Sequence, residues 1–411
     1  MSLDQLLLGG LLLSVLLPGG LLLREMRTKH LDKWIWSWIK RERRPKSEGV
    51  THVMFCIGDH FEPKWGRPER AVEQARVATW KEHYPRVARR HVDADGRHPV
   101  HTFFYPQEEY EPEHIDGLVD ICRQGLGEIE VHLHHDNDTS DRLREKLLTF
   151  MSALHDSHGA ASVDPDTGKP VYGFIHGNWS LDNSRCDGRY CGVNNELIVL
   201  KETGCYADFT LPSAPSETQT SKINSIYYAT DDPCMPKSHD RGDDVRVGGK
   251  SVGDLMIVQG PLGLNWKNRK YGLFPRIENG DLSAAAPPIP SRIKMWVDTA
   301  IQVQGRPDWV FIKCYTHGAM EENSDMLFNG GFESLWRYLE SEFNDGKHYA
   351  LHYVSARELH NIIKAAEAGK AGNPNVYRDF LIQRGRYVTD GIVVPERARR
   401  VDGSALRGRL G

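Results

Sequence analysis

The chain has 411 residues, with 52 Lys and Arg against 56 Asp and Glu and a formal net charge of −4. That length holds one large domain with extensions, or two domains. The near-neutral balance lacks the basic surface on which sequence-independent nucleic-acid binding rests, so no nucleic-acid partner is expected. Hydrophobic residues make up 39% of the chain, enough for a sizeable core, and the seven cysteines are odd in number and mostly isolated. They read as free thiols in a reducing compartment rather than as a disulfide framework.

The first segment, 1–23, contains an uncharged, leucine-rich run of 18 residues over 6–23. At about 1.5 Å of rise per residue, such a run just crosses a hydrocarbon core of about 30 Å. Gly9, Gly10, Pro18, Gly19 and Gly20 interrupt it, so it spans with a bend or enters and returns on one side. Positive charge follows the run instead of preceding it, unlike a cleaved signal peptide. The second segment, 24–48, carries nine Lys and Arg between 24 and 46. The positive-inside tendency puts this flank, and the domain behind it, at the cytoplasmic face of a membrane. Within it Leu31, Trp34, Ile35, Trp38 and Ile39 recur at helical spacing among basic residues. That pattern suits an interfacial helix on anionic lipid; the other reading is a helix packed on the protein's own core. Pro45 ends it.

From residue 50 to 368, strand and helix signals alternate. A strand over 51–57 runs into Gly58-Asp59-His60-Phe61-Glu62-Pro63. Helix is predicted over 69–90, strand over 101–106 and helix over 112–124, with Gly125 and Gly127 marking the turn that follows. The next strand is Glu128-Ile129-Glu130-Val131-His132-Leu133. Its period of two gives Ile129, Val131 and Leu133 to a buried face and His132 and His134 to the opposite one. It ends in a dense set of imidazoles and carboxylates, His132, His134, His135, Asp136 and Asp138. Such a donor set suits zinc and similar borderline divalent ions.

Further on, helix is predicted over 141–155, strand over 171–175, helix over 194–203 and a strand end over 205–210. Short strands are expected over 224–229 and 255–259, with an exposed excursion between them over 231–249. Helix over 291–301, strand over 309–315, helix over 333–343, strand over 348–354 and helix over 355–368 complete the pattern. Polar residues follow strand after strand, the arrangement of an α/β fold that keeps its chemistry at the carboxyl ends of its strands. Residues 369–411 read as a basic, solvated tail; seven arginines stand from 384 onward.

The order of these strand-end motifs resembles the polysaccharide deacetylase family, the NodB-homology or carbohydrate esterase family 4 domains, over roughly residues 50–365. Ile57-Gly58-Asp59-His60-Phe61-Glu62-Pro63 resembles that family's first motif, Gly127 to His132 the second and Phe174-Ile175-His176-Gly177-Asn178-Trp179 the third. Tyr206-Ala207-Asp208-Phe209 resembles the fourth, and Phe311 to His317 the last. The chain also looks like a divergent branch linked to surface-polysaccharide synthesis. The resemblance implies a distorted (β/α) barrel. It implies a divalent metal, zinc first and cobalt or manganese next, held by Asp59, His132 and either His135 or Asp136, with His134 in reserve. It implies His317 as general acid, Asp208 orienting the site and His176 at the groove; beside them Trp179 is the candidate to stack on a sugar ring, and Asn178 and Lys313 are the candidates to bind substrate hydroxyls or phosphate. Three positions depart from the family: Gly58 stands where its base is usual, Asp136 where a second histidine is, and His176 where an arginine is. His60 or an aspartate of the cluster then becomes the candidate base.

These residues together lead to the expectation of a membrane-associated, metal-dependent hydrolase. It would remove an acetyl group from an N- or O-acetylated sugar in a polysaccharide or lipid-linked glycan precursor. Two other readings stand beside it: a catalytically impaired protein of the same fold that binds carbohydrate or serves in assembly, and a metal-dependent phosphoesterase.

Overall fold

The computed structural model describes residues 24, 26–41, 45 and 47–387; the hydrophobic run over 6–23 and the chain beyond 387 lie outside the described residues. Among the described residues no helix is long and apolar enough to cross a membrane.

The strands, in chain order, are β1 (Thr51–His60), β2 (His101–Pro106), β3 (Gly127–Leu133), β4 (Ser162–Val163), β5 (Pro170–His176), β6 (Cys205–Asp208), β7 (Ile226–Ala229), β8 (Asp243–Asp244), β9 (Leu255–Val258), β10 (Gly263–Lys270), β11 (Phe274–Glu278), β12 (Trp309–Thr316) and β13 (Tyr349–Tyr353). The main sheet runs β12-β1-β2-β3-β5-β6-β9-β7-β8, with β13 also on β1 and β4 also on β5. From β12 to β9 every neighbouring pair is parallel, and antiparallel pairing begins at β7. The protein is therefore a mixed α/β structure built on a predominantly parallel sheet.

The strands bury both faces, and the period of two decides which side chain goes where. On β1, Val53, Phe55 and Ile57 join one core with Phe103, Tyr105, Ile129, Val131 and Phe174. Met54 and Cys56 join the other with Phe104, Ile175, Ala207 and Phe311. Helices Arg70–Ala88, Pro112–Cys122, Ser140–Ser152 and Phe332–Phe343 cover the first core. Helix Ala356–Glu367 covers the second through Leu359, Ile362 and Ile363, and a capping box between Ser355 and Glu358 starts it. Each large aliphatic or aromatic side chain so buried contributes about 1.5–3 kcal/mol.

Double burial changes the meaning of the histidine strand. The face opposite Ile129, Val131 and Leu133 is polar but not exposed: Glu128, Glu130 and His132 are all buried. Glu128 accepts hydrogen bonds from Arg357 Nη2 at 2.7 Å and Nε at 3.0 Å, and from Ser355 Oγ at 2.8 Å. Glu130 accepts from Tyr206 Oη at 2.6 Å and Gly173 N at 2.5 Å, and burial pushes its carboxyl up to about 8.

Other features depart from the sequence reading. Residues 369–387 are packed rather than tail-like: buried Arg378 donates to Asp93 at 3.1 Å and Glu358 at 2.9 Å, and Gln383 bridges to Val163. The stretch over 231–249 is mostly exposed, as expected, although β8 and fully buried His239 anchor it. An antiparallel hairpin, β10–β11, was not foreseen; few of its residues are apolar and buried, so it has no period to read. The basic, Trp-rich stretch divides its side chains. Trp34 and Ile35 are buried with Ala214, Ile223 and Leu262, whereas Trp36 and Ile39 on helix Ile35–Lys40 are exposed.

Candidate metal centre

The carboxyl ends of β1, β3, β5 and β12 carry His60, His132, His176 and, just beyond β12, His317. Parallel pairing brings these ends to one edge of the sheet, where open α/β folds place their sites.

His60, Glu62 and His132 meet there, each offering a ligand atom within 4.8 Å of the others. All three are buried. His132 donates from Nδ1 to Ile175 O at 2.8 Å, which leaves its Nε2 lone pair facing Glu62 Oε1 at 3.1 Å. His134, on the same strand face, sets its Nε2 3.1 Å from that oxygen and its Nδ1 2.6 Å from Glu108 Oε1. Among the described residues Glu62 Oε2 is buried without a hydrogen-bond partner. A buried carboxylate with one oxygen beside an imidazole lone pair and the other unpartnered fits a bound cation and its water. The side is lined by aromatic rings: His317 lies 4.6 Å from the His60 ring, and Trp179 lies 5.8 Å from both.

The electrostatics follow from burial and neighbours. Burial, reinforced by His317 and His132, holds the His60 imidazole well below its usual range. Burial alone would raise Glu62, yet its contacts with the His132 and His134 imidazoles hold its carboxyl well below the usual carboxylate range. Burial opposes protonation of His134, but its bonds to Glu108 and Glu62 outweigh that and lift it to about 10. Burial lowers His132.

A second group begins with the residue that follows His134. His135, His176, Cys191 and Glu196 present ligand atoms within 4.8 Å of one another, and all four residues are buried. A third group, Asp93, Asp95 and His352, is already supplied with a cation: Arg378 reaches Asp93 at 3.1 Å and Asp95 at 4.0 Å.

The expected ligand set of Asp59, His132 and His135 or Asp136 does not come together. Asp59 is fully buried but turned away: Oδ2 lies 2.9 Å from His101 Nε2, and Oδ1 accepts the Gly318 N–H at 2.7 Å. It thereby fixes the turn after β12. Asp136 is exposed and accepts the Tyr190 N–H at 2.7 Å. His135 and His176 belong to the second group, so His176 lines no groove. Asp208 reaches no histidine ring by hydrogen bond among the described residues. It accepts from Thr210 Oγ1 at 2.6 Å, and that oxygen accepts the His176 N–H at 2.8 Å, so it positions backbone. Lys313 is buried, donating to Phe209 O at 2.6 Å and Leu211 O at 2.7 Å. It ties strand ends together and is shut away from a groove. Asn178 is exposed, and Trp179 is half-buried beside His60. His60, expected as a base, sits among the candidate ligands.

Glu62 was missed as a ligand although a signal existed: two residues beyond His60 at a strand end, it shares that residue's face. Cys191, in an irregular stretch, and Glu196, at the start of a helix, carried none, both lying far along the chain from His135. Compared with known proteins, the chain matches no family model, and no curated protein is found to match it.

Proposed function

We propose that this protein is a metal-dependent hydrolase that removes an acetyl group from an amino sugar in a glycan. We further propose that its sheet belongs to a distorted (β/α) barrel of the polysaccharide-deacetylase type. The observation that carries the reading is the convergence of His60, Glu62 and His132 at the carboxyl edge of the parallel sheet, with His317 and Trp179 alongside. The Lys313 bridge from β12 to the carbonyls following β6 supports the barrel, because it joins strands far apart in the sheet order.

In this reading His60, Glu62 and His132 hold the cation, which when bound supplies a water acidic enough to ionise near neutral pH. Glu62, ionised across the neutral range, would face the cation through Oε1, beside His132 Nε2, and its unpartnered Oε2 would take the proton of the water that adds to the acetyl carbonyl. His317 then delivers a proton to the sugar nitrogen as the C–N bond breaks and acetate leaves. Help of this general acid–base kind is worth about 10²–10⁴-fold. Trp179, half-buried beside the site, stacks on a sugar ring. Membrane association at the cytoplasmic face completes the proposal. Trp36 and Ile39 are exposed on the short helix, and hairpin β10–β11, rooted in the same small core, exposes Trp266, Tyr271, Leu273 and Phe274 beside Lys267 and Arg269.

The test is acetate release from N-acetylated oligosaccharides by metal-loaded protein, with phosphate release from phosphoesters as the competing arm. A second reading, a carbohydrate-binding protein without turnover, draws on Asp59: the aspartate at the start of the motif is engaged by His101 and Gly318. Sugar binding without acetate or phosphate release would favour it.

A further inference from the structure

We propose a second, structural metal site in which His135, His176, Cys191 and Glu196 hold one zinc-class cation and staple an irregular loop to the end of β3. It does not depend on the hydrolase reading.

The donor set comes first. Two imidazoles, a thiolate and a carboxylate are four ligands for a tetrahedral ion, and a site closed by four protein ligands is structural rather than catalytic. His135, His176 and Glu196 are 5%, 0% and 0% exposed, and Cys191 is 0% exposed, so water has no place among them. Two anions and two neutral rings balance a divalent cation.

The tautomers point the same way. His135 Nδ1 lies 3.1 Å from Asp138 Oδ2, and His176 Nδ1 faces the Gly177 carbonyl. A carboxylate and a carbonyl only accept, so each Nδ1 carries a hydrogen, which frees each Nε2 to turn a lone pair on a cation. These two Nε2 atoms stand 2.8 Å apart, with Glu196 Oε1 at 3.1 Å from one and 3.5 Å from the other. Two imidazole nitrogens and a carboxylate oxygen at such distances need a positive charge among them, and a metal ion supplies it where a proton on His135 Nε2 otherwise would. A second carboxylate or carbonyl behind each ring is also how metal-binding histidines are held. Asp138 is in turn fixed by Lys146 at 2.6 Å.

The sulfur carries its own mark. Cys191 Sγ accepts backbone N–H groups from Asn183 at 3.3 Å and Val193 at 3.4 Å. Sγ also lies 3.5 Å from Glu196 Oε2 and 3.6 Å from Val193 O, contacts to which a thiol donates, so the two amide donors mark a sulfur that metal binding would deprotonate and leave held as a thiolate.

The site also has something to hold. Between β5 and helix Glu196–Glu202 the chain forms only short 3-10 turns, Gly177–Trp179 and Leu181–Asn183. Asn178, Trp179, Asp182, Asn183 and Tyr190 all adopt positive φ. Left-handed backbone at non-glycine residues costs on the order of 1 kcal/mol each and persists only where the surroundings impose it. His176 and Glu196 bracket this stretch, Cys191 lies within it, and His135 belongs to β3's end. One ion would fasten all of them and set Trp179 against His60.

Cobalt(II) titration of the full chain tests this, in a Cys186→Ser/Cys234→Ser background that removes the two exposed thiols. The expected result is a thiolate-to-cobalt charge-transfer band in the near ultraviolet, saturating at one ion per chain. The first group holds no sulfur, so the band persists in His132→Ala and is lost in Cys191→Ser. Asp138→Asn keeps all four ligands and weakens cobalt binding about 10–100-fold, which reads the site even where Cys191→Ser does not fold. Absence of the band from folded, cobalt-loaded background protein, with His135 carrying a proton on both nitrogens by nuclear magnetic resonance, would overturn the proposal. So would a band that Cys191→Ser leaves at full strength.

Discussion

His132 Nε2 and Glu62 Oε1 face each other across 3.1 Å although their strands, β3 and β1, are separated in the sheet by β2. The His132 ring is oriented by Ile175 O on the neighbouring strand, and the carboxylate is ionised by its histidine partners. Removing the Glu62 charge while keeping its shape tests the centre directly. Glu62→Gln is expected to lower acetate release by about 10²–10⁴-fold, with loss of bound divalent metal seen by elemental analysis. Unchanged release and unchanged metal would remove Glu62 from the centre.

Lys313 gives a test with a pH signature. Burial pushes its ammonium down to about 8, whereas an unfolded lysine keeps its proton to about 10.4. Between these values the unfolded chain binds more protons, so the lysine's contribution to stability grows with pH and is lost as pH falls through about 8. The stability difference between wild type and Lys313→Met should therefore rise from pH 8 to 10, by at most about 1.4 kcal/mol per pH unit. Each carbonyl orphaned in the variant, Phe209 O and Leu211 O, costs about 1–3 kcal/mol. Urea unfolding at several pH values measures both; a difference independent of pH above 8 would contradict the assignment.

The Arg357–Glu128 pair crosses from helix Ala356–Glu367 to β3 with both partners buried. Arg357→Ala leaves buried Glu128 without its cation and with Ser355 Oγ as its remaining donor, a loss of about 3–5 kcal/mol. The double variant Arg357→Leu/Glu128→Leu should recover most of it. Denaturant midpoints decide the matter, and equal destabilisation in both variants would show that packing rather than charge is at stake.

Two neighbouring tryptophans separate packing from membrane contact. Trp34 is fully buried, and Trp34→Ala is expected to cost about 3–5 kcal/mol. Trp36 is exposed, so Trp36→Ser should change stability by no more than about 0.5 kcal/mol. It should instead lower sedimentation with vesicles containing anionic phospholipid. Wild-type vesicle binding in Trp36→Ser/Ile39→Ser would remove this face from the membrane proposal.

Much of the fold could be read locally. The alternation Ile129, Val131, Leu133 announced a strand, and the glycines at 125 and 127 announced its turn. The apolar runs over 51–57 and 309–315 proved to be β1 and β12, hydrogen-bonded side by side. The β10–β11 hairpin was invisible, because exposed Trp266, Tyr271 and Phe274 carry no period. The stripe of Leu31, Trp34, Ile35, Trp38 and Ile39 was ambiguous between lipid and protein, and the fold assigns Trp34 and Ile35 to protein.

The sequence by itself determined that imidazoles and carboxylates would gather at strand ends, since chain order and a period of two are local properties. Only the tertiary structure decided how they divide. His132 and His134 follow the strand's pleat to Glu62, whereas His135, just past the strand, turns to meet His176, Cys191 and Glu196. Asp59 went to His101 and Asp136 to the Tyr190 amide. A one-residue step reverses a side chain's direction, and the partners that give the direction meaning lie tens of residues away. No local pattern brings them together; sheet register and loop path do.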